Sequence, residues 1–119
     1  DLRFAIATSC NAYFCYVFRD ILENPRYGSV KEGFDVWREY VESFGFGRKL
    51  DSDFLGEGNG YVPDRKFYDR RYRKSWNALT VLSLSIGQGE LECTPLQMAN
   101  LAAIVLIAGT IISRTSSVR

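Results

Sequence analysis

The sequence contains no histidine and only three cysteines, Cys10, Cys15 and Cys93, which lack CxxC spacing. Structural zinc sites are built mainly from these two residue types, so their scarcity argues against a metal site, and no motif calls for a cofactor. A disulfide between Cys10 and Cys15 is not expected, because residues five apart on one helix point to different faces. We expect all three cysteines to be small buried side chains.

An excess of charge of one sign is also lacking, since 15 basic and 14 acidic residues leave a formal net charge of +1. No overall field therefore favours nucleic acid or an anionic membrane, and we predict no nucleic-acid partner. A basic, aromatic-flanked segment at 65–74 is predicted to be a solvated helix face, because Asp64 and Asp69 interrupt its positive charge. Contact with an anionic partner is the alternative for this segment.

No apolar run approaches the roughly 20 residues that a membrane-spanning helix needs. The longest covers 101–108, and its nearly all-apolar circumference predicts a helix in the middle of a larger body. The sequence also lacks the hallmarks of a signal peptide. Its opening, Asp1-Leu2-Arg3, resembles an interior cut rather than a natural start.

What is present predicts one mainly α-helical unit. The 119 residues are 46% hydrophobic, enough for a modest core. Apolar spacing and end signals predict helices at about 11–23, 29–44, 64–73 and 94–108, and a glycine-rich, ordered surface loop at 46–63. Segment 76–85 could be a strand or a buried helical turn, and its pattern does not decide between them.

Two helix starts have strong local signals. Ser29 and Glu32 form a capping box, in which each side chain can bond the other's backbone N–H group. Thr94 and Gln97 form a second one, and Pro95 takes the first helical position, where a missing N–H group does no harm.

The tripeptide Ser9-Cys10-Asn11 precedes the first predicted helix and permits two interpretations. A serine hydroxyl beside an asparagine amide can relay a proton and hydrogen-bond a substrate amide. Both residue types also cap free backbone N–H groups, so an ordinary helix cap is the structural alternative.

Four segments stand in a specific order, and each alone would be a weak signal. They are Ala-Ile-Ala-Thr-Ser-Cys-Asn-Ala-Tyr-Phe at 5–14, Phe-Gly-Phe-Gly at 44–47, Gly-Glu-Gly-Asn-Gly-Tyr-Val-Pro at 56–63, and Ser-Ile-Gly-Gln-Gly-Glu-Leu-Glu-Cys-Thr-Pro-Leu-Gln-Met-Ala-Asn at 85–100. Together they resemble the transpeptidase domain of class B penicillin-binding proteins, particularly the elongation-type penicillin-binding protein 2 group.

This resemblance implies that residues 1–119 are the helical subdomain cut from an α/β transpeptidase domain. The related enzymes use three motifs, S-x-x-K with the acylated serine, S-x-N, and K-[ST]-G, and only S-x-N is present here. By resemblance, Ser9 would relay a proton between the lysine of S-x-x-K and the leaving or incoming amine. Asn11 would hydrogen-bond the acyl-donor amide. These are the predicted catalytic residues.

The resemblance places the nucleophile upstream of Asp1 and the K-[ST]-G strand downstream of Arg119. Covalent catalysis needs a nucleophile with an adjacent base, so we expect these 119 residues alone to be inactive and to form no stable penicilloyl adduct.

The implied activity of the parent protein is cross-linking of peptidoglycan stem peptides by serine acyl transfer. It would act on the periplasmic side of the bacterial inner membrane, touch the membrane only through an N-terminal anchor outside this sequence, and have β-lactams as covalent inhibitors. A serine β-lactamase or D,D-carboxypeptidase shares the S-x-N chemistry and is the alternative. A helical interaction module with no enzymatic parent is the second alternative.

Several residues near these motifs are expected to be structural. The turn Gly87-Gln88-Gly89 is interpreted as scaffold whose glycines take positive φ, with a substrate-proximal Gln88 as the alternative. Asp53 and Glu57, in a loop without shielding partners, are not expected to be an acid–base pair.

The chain after Ala108 departs from the family pattern, although Gly109 stands where a turn is expected. No function is carried beyond Ala108. Apolar faces at Phe14/Phe18 and Leu101/Ile104 should be partly exposed without the rest of the domain, and we expect the isolated chain to self-associate.

Overall fold

Five α-helices carry the fold of the described residues. The structure, a computed structural model, describes the backbone of residues 1–117 and the side chains of residues 1–109. The helices are α1 (Leu2–Ala7), α2 (Asn11–Leu22), α3 (Val30–Ser43), α4 (Arg65–Arg71) and α5 (Pro95–Ser117), and two short 3-10 helices lie at Pro25–Tyr27 and Leu82–Ile86. In this part of the chain the strand-like pairing is one antiparallel bridge, Tyr61 with Glu92. The mainly α prediction is confirmed.

Side-chain caps start three of the predicted helices where the sequence indicated. The Ser29 hydroxyl accepts from the Glu32 amide at 3.2 Å, and the Asp64 carboxylate accepts from the Phe67 amide at 2.8 Å. The Thr94 hydroxyl accepts from the Gln97 amide at 3.1 Å. Each of these bonds satisfies a backbone donor that the helix itself leaves free.

The predicted cap of α2 is wrong. Cys10 is the N-cap residue of this helix, and its side chain makes no capping hydrogen bond. Ser9 lies before the cap in a left-handed conformation, and Asn11 is the first helical residue. Neither predicted capping residue therefore performs that task.

The core lies where α2, α3 and α4 meet segment 76–84. Its buried members are Phe18, Leu22, Phe34, Tyr68, Trp76, Ala78, Val81 and Leu84. The ring of Phe34 makes edge-to-face contacts with Tyr68 and Trp76 at centroid distances of 5.6 and 5.5 Å. Edge-to-face aromatic pairs add directional attraction to the apolar area that they bury.

Gly33 brings α3 directly against the end of α2. A Cβ atom at this position would lie 3.0 Å from the Leu22 carbonyl oxygen and 3.3 Å from its Cα. The contact is therefore between backbones, and it fixes the spacing of the two helices.

Two predictions about segment 76–85 and α5 are decided by the structure. The segment ends in the 3-10 helix Leu82–Ile86, so the buried helical turn is confirmed and the strand is wrong. Helix α5 runs past the predicted end at Ala108 to Ser117, with Gly109 inside it rather than in a turn. No helix in the described part of the chain is both long and apolar enough to span a bilayer.

The predicted burial of some side chains needs correction. Cys93 is exposed, whereas Cys10 and Cys15 are only partly buried, and all three are free thiols. Phe18 is buried against Trp37 of α3, so its predicted exposure is wrong. Phe14, Leu101 and Ile104 are partly exposed as expected. The basic segment is largely solvated, although Arg65 pairs with Asp35.

Candidate functional site: the Ser9–Asn11 corner

Ser9 lies in the turn that joins α1 to α2. The Ser9 amide donates to the Ile6 carbonyl at 3.2 Å, and the Cys10 amide donates to the Ala5 carbonyl at 2.9 Å. These two bonds are the pair that defines a Schellman turn at a helix C-terminus, with Ser9 in the position usually taken by glycine. Ser9 accordingly has φ of 51°, in the left-handed region.

A serine in this position is less stable than a glycine would be. The left-handed region costs a residue with a Cβ atom about 1 kcal/mol. Backbone strain of this kind at a non-glycine residue often marks a functional site, because the surrounding fold must hold it. The turn thus keeps a hydroxyl at a place where folding alone would favour no side chain.

The Ser9 and Asn11 side chains are both exposed and available to a ligand. Among the described side chains, no hydrogen bond engages either the Ser9 hydroxyl or the Asn11 amide, so neither is consumed in capping. The turn brings them together at the start of α2, one before and one after Cys10. Uncapped N–H groups in this first turn give the corner a partial positive potential, which favours negative charge developing on a nearby oxygen.

Helix α2 is held from behind by the opening of the segment 85–100. The Ser85 hydroxyl lies 2.6 Å from the Leu82 carbonyl and 3.3 Å from the Cys15 sulfur. Cys15 is one turn beyond Asn11 on the same face of the helix, since residues four apart are neighbours. Ser85 therefore contacts the helix that carries Asn11 without being part of the Ser9–Asn11 corner.

The Gly87-Gln88-Gly89 turn has the conformation that its glycines predict. Gly87 and Gly89 have φ of 72° and 74°. A Cβ atom on Gly89 would lie 2.5 Å from the Ser83 hydroxyl oxygen, so this position excludes a side chain on steric grounds as well. The Gln88 amide donates to the Ser83 carbonyl at 3.0 Å, while its side chain is exposed. These contacts support the scaffold interpretation of the turn.

Gln97 is the buried polar group that joins the remaining resemblance segments. Its side chain is 1% exposed and accepts from the Thr94 amide at 3.0 Å. Its Nε2 atom donates to the carbonyls of Arg48 and Asn59 at 2.9 and 2.8 Å. One amide thus connects the start of α5 with both ends of segment 48–59.

Two further contacts complete this connection. The Asn100 amide donates to the Phe44 carbonyl at 3.1 Å, which links α5 to the Phe-Gly-Phe-Gly segment. Gly60 leaves room for the Gln97 side chain, because a Cβ atom there would lie 2.7 Å from its Oε1 atom. Sequence reasoning assigned Gln97 to a cap and missed these long-range bonds.

The carboxylates with perturbed acidity are structural rather than catalytic. Glu57 accepts from the Leu50 amide, and from the amide and hydroxyl of Ser52 at 3.0 and 2.8 Å. The Leu50 hydrogen bond, followed by those from Ser52, holds the pKa of Glu57 below its usual value. Glu57 therefore holds its own loop together and does not pair with Asp53.

A second network lies between α3 and α4. The Asp69 carboxylate accepts from the Trp76 indole at 2.8 Å and from Lys31 at 3.0 Å, and these bonds lower the pKa of Asp69. Burial, followed by a 2.7 Å hydrogen bond to Glu90, raises the pKa of Tyr68.

Within the described residues, no group of three His, Cys, Asp or Glu side chains could hold a metal ion.

Comparison with known proteins gives this corner its context. The family model of the penicillin binding protein transpeptidase domain matches residues 1–113. The peptidoglycan D,D-transpeptidase MrdA of Acinetobacter baumannii is 34% identical over 110 residues, which are 92% of this chain and 15% of that protein. The protein of the same name from Haemophilus influenzae is 29% identical over 111 residues, 93% of this chain and 15% of its own.

A solved structure agrees with these sequence matches. The crystal structure of Pseudomonas aeruginosa PBP2 in complex with WCK 5153 superimposes with a TM-score of 0.66 and 31% identity, covering 84% of this chain and 20% of that one. The chain spans about 15% of the length of the curated relatives named above. It belongs to the penicillin-binding protein transpeptidase family.

Proposed function

We propose that this chain supplies the S-x-N element of a peptidoglycan D,D-transpeptidase, which cross-links stem peptides by serine acyl transfer. The observation that carries the proposal is Ser9 itself, an exposed hydroxyl in a left-handed turn that glycine would stabilise. The names of the relatives from Acinetobacter and Haemophilus support the reaction class.

In this proposal Ser9 and Asn11 have different tasks. A hydroxyl both donates and accepts, so Ser9 can pass a proton to the departing amine when the acyl-enzyme forms and accept one from the attacking amine when the new amide forms. The Asn11 amide offers a donor and an acceptor, which suits it to hold the backbone amide of the acyl donor. The nucleophile and its lysine belong to S-x-x-K, a motif that does not occur within these 119 residues.

The remaining assignments rest on the same family membership. The substrate is the peptidoglycan stem peptide, β-lactams are the covalent inhibitors, and the site of action is the periplasmic side of the inner membrane. Transfer is favoured over the hydrolysis of a β-lactamase or carboxypeptidase, because the curated relatives named above are transpeptidases. Family membership also argues against the alternative of a helical interaction module with no enzymatic parent.

Fluorescent penicillin separates the contribution of this chain from that of the S-x-x-K motif. The 119-residue chain alone should show no covalent band on a denaturing gel, since the acylated serine is not in it. A chimera of the Acinetobacter relative, in which residues 1–108 replace the matching segment, should be labelled. A covalent band on the isolated chain would overturn the assignment of the nucleophile.

The chimera then tests the two residues. Ser9→Ala should slow acylation about 10²- to 10⁴-fold, the range for loss of a general acid–base group. Asn11→Leu keeps the branched shape of the side chain without its polar atoms and should also slow acylation, chiefly by weakening substrate binding. Asp20→Asn, an exposed change on α2, is the control and should leave the rate unchanged. Unaltered acylation by folded Ser9→Ala protein would refute the proposed role.

A further inference from the structure

A concave site, separate from the Ser9–Asn11 corner, lies between the tip of the glycine-rich loop and the first turn of α5. It is a cavity of about 520 Å³, within the size range of ligand pockets. Phe54, Pro95 and Leu96 supply apolar walls, and Glu57 and Ser52 stand at one side. The lining contains no residue of the Ser9–Asn11 corner, so this cavity has no part in the proposed function.

Both walls of this cavity are fixed before anything binds. On one side, the Glu57 carboxylate accepts hydrogen bonds from the amides of Leu50 and Ser52. On the other, Gln97 ties the loop to α5 through the Asn59 carbonyl at 2.8 Å. A pocket that is already formed loses little conformational entropy when a partner enters it.

The loop tip presents apolar side chains that the described part of the chain does not cover. Phe54 lines the cavity and is 73% exposed, and Leu55, the next residue along the loop, is 96% exposed. Large apolar side chains gathered next to an apolar cavity are characteristic of a binding surface, whereas single exposed ones are ordinary.

The charge around the cavity is locally acidic. Segments 48–58 and 90–96 hold five acidic residues and two basic ones, whereas the rest of the chain holds nine acidic and thirteen basic ones. Asp51, Asp53 and Glu92 are exposed on these two segments. An occupant that combines apolar side chains with positive charge would match both properties of the site.

A second copy of the chain does not present this combination well. Its basic segment exposes Lys66, Arg70 and Arg71, but the large ring exposed among them, Tyr72, lies under the Arg71 guanidinium. Its exposed helix α1 offers Leu2, Phe4 and Ile6 with one positive charge, Arg3, balanced by Asp1. Exposed apolar side chains and positive charge therefore lie on different parts of the surface of this chain.

We propose that the cavity between residues 52–58 and 94–96 is a docking site for a partner protein segment in which aliphatic side chains alternate with lysine or arginine. The aliphatic side chains enter the cavity against Phe54, Pro95 and Leu96, and one of them covers the exposed Leu55 next to Phe54. The basic ones meet Asp51, Asp53 and Glu92, which are exposed on the two segments that form the cavity.

The test uses a fluorescein-labelled peptide of alternating leucine and lysine, measured by fluorescence anisotropy with the 119-residue chain. The peptide should bind in a saturable manner. Its binding should weaken as the salt concentration is raised, because salt screens the attraction between its lysines and the acidic residues beside the cavity. A peptide with glutamate for lysine, and one with serine for leucine, should each bind at least about tenfold more weakly. Equal binding of all three peptides would overturn the proposal.

Variants of the chain locate the binding. Leu55→Ser and Leu96→Ser should each weaken binding of the leucine–lysine peptide about tenfold. The double change Asp51→Asn and Asp53→Asn should reduce both the affinity and its salt dependence. Leu79→Ser, which removes an apolar side chain that is 60% exposed elsewhere, and Asp20→Asn are the matched controls and should have no effect.

Two outcomes contradict the proposal. Leu55→Ser protein with unchanged circular dichroism and unchanged peptide affinity would show that the peptide binds elsewhere. Sedimentation that reveals a dimer lost in Leu55→Ser, together with no peptide binding, would assign the cavity to a second copy of the chain instead.

Discussion

Ser9 lies in a turn where its side chain lowers local stability. The Schellman turn at the end of α1 requires positive φ, which glycine adopts freely and serine does not. Asp51, Arg73 and Lys74 also have positive φ, so the backbone conformation alone does not assign a function to Ser9. In the proposed function, the Ser9 hydroxyl has a task that glycine could not perform.

The left-handed φ of Ser9 predicts an unusual result for a glycine substitution. Ser9→Gly should raise the free energy of unfolding by about 0.5–1 kcal/mol, because it relieves the left-handed strain. Glu39→Gly is the control at an exposed position inside α3 and should lower it by about 0.5–1 kcal/mol, the usual cost of glycine in a helix interior. Urea unfolding of both variants measures the difference. A loss of stability in Ser9→Gly would contradict the assigned strain.

Asp69 gives a pH dependence whose sign follows from its hydrogen bonds. Bonds from Trp76 and Lys31 lower its pKa in the folded chain. The stabilisation is therefore present above the unfolded pKa of about 3.9 and is lost as pH falls through the lower folded value. Asp69→Asn should flatten the decline of unfolding free energy between about pH 5 and pH 2.

Acid titration of urea unfolding checks this expectation, with Asp20→Asn as the control for an exposed carboxylate. The control should retain the acid-induced decline of the unaltered chain. Identical declines in Asp69→Asn and the unaltered chain would show that the Trp76 and Lys31 bonds do not stabilise the charged form.

At the scale of elements, local signals located most helices and long-range contacts decided the rest. Asn24-Pro25 ends α2, and Ser29 and Thr94 start α3 and α5, so these elements could be predicted from neighbours in sequence. Helix α1 was missed because it is only six residues long and has no sustained apolar period. The end of α5 was misplaced because Gly109 is compatible with both a turn and a helix.

The candidate site also combines features that the local sequence predicts with features that depend on distant contacts. Ser9 and Asn11 were selected because the tripeptide fits the S-x-N pattern, whereas the left-handed turn at Ser9 was not predicted, since serine seldom adopts this conformation. The burial of Phe18 depends on Trp37 in another helix, and the role of Gln97 on carbonyls in a distant loop. No local pattern contains such contacts.

The Gln97 contacts predict that one amide matters far more than another nearby. Gln97→Leu should lower the free energy of unfolding by about 2–3 kcal/mol, because it removes the hydrogen bonds of a buried amide to the carbonyls of residues 48 and 59 and from the Thr94 amide. Gln88→Leu changes an exposed amide and should alter it by less than about 0.5 kcal/mol. Chemical denaturation gives both values, and amide hydrogen exchange at Tyr61 and Glu92 reports whether the bridge between them loosens.

At the scale of the whole molecule, the core is small and one aromatic residue is central to it. Phe34 is fully buried and contacts Trp37, Tyr68 and Trp76. Phe34→Ala should cost about 3–5 kcal/mol, the usual range for a buried ring, and so remove a large part of the stability of a chain this size. Phe54→Ala, at an exposed ring, is the matched control and should melt near the temperature of the unaltered chain.

Exposed apolar surface predicts association of the isolated chain. Leu2, Phe4 and Ile6 on α1 are more than half exposed, as are Val105 and Ile107 on α5. Light scattering should show a mass that rises with concentration, and Val105→Lys with Ile107→Lys should reduce it. A single monomeric mass at high concentration, without binding of a hydrophobic dye, would contradict this prediction.

The Gln97 side chain has a consequence for how the chain tolerates changes in length. It holds the carbonyls of residues 48 and 59 beside one another, so the two ends of the intervening loop stay in place whatever lies between them. Closing a longer loop costs only about 0.6 kcal/mol for each doubling of its length. The tip at Phe54 and Leu55 is thus a place where residues can be inserted, by evolution or to attach a reporter domain, without moving α5.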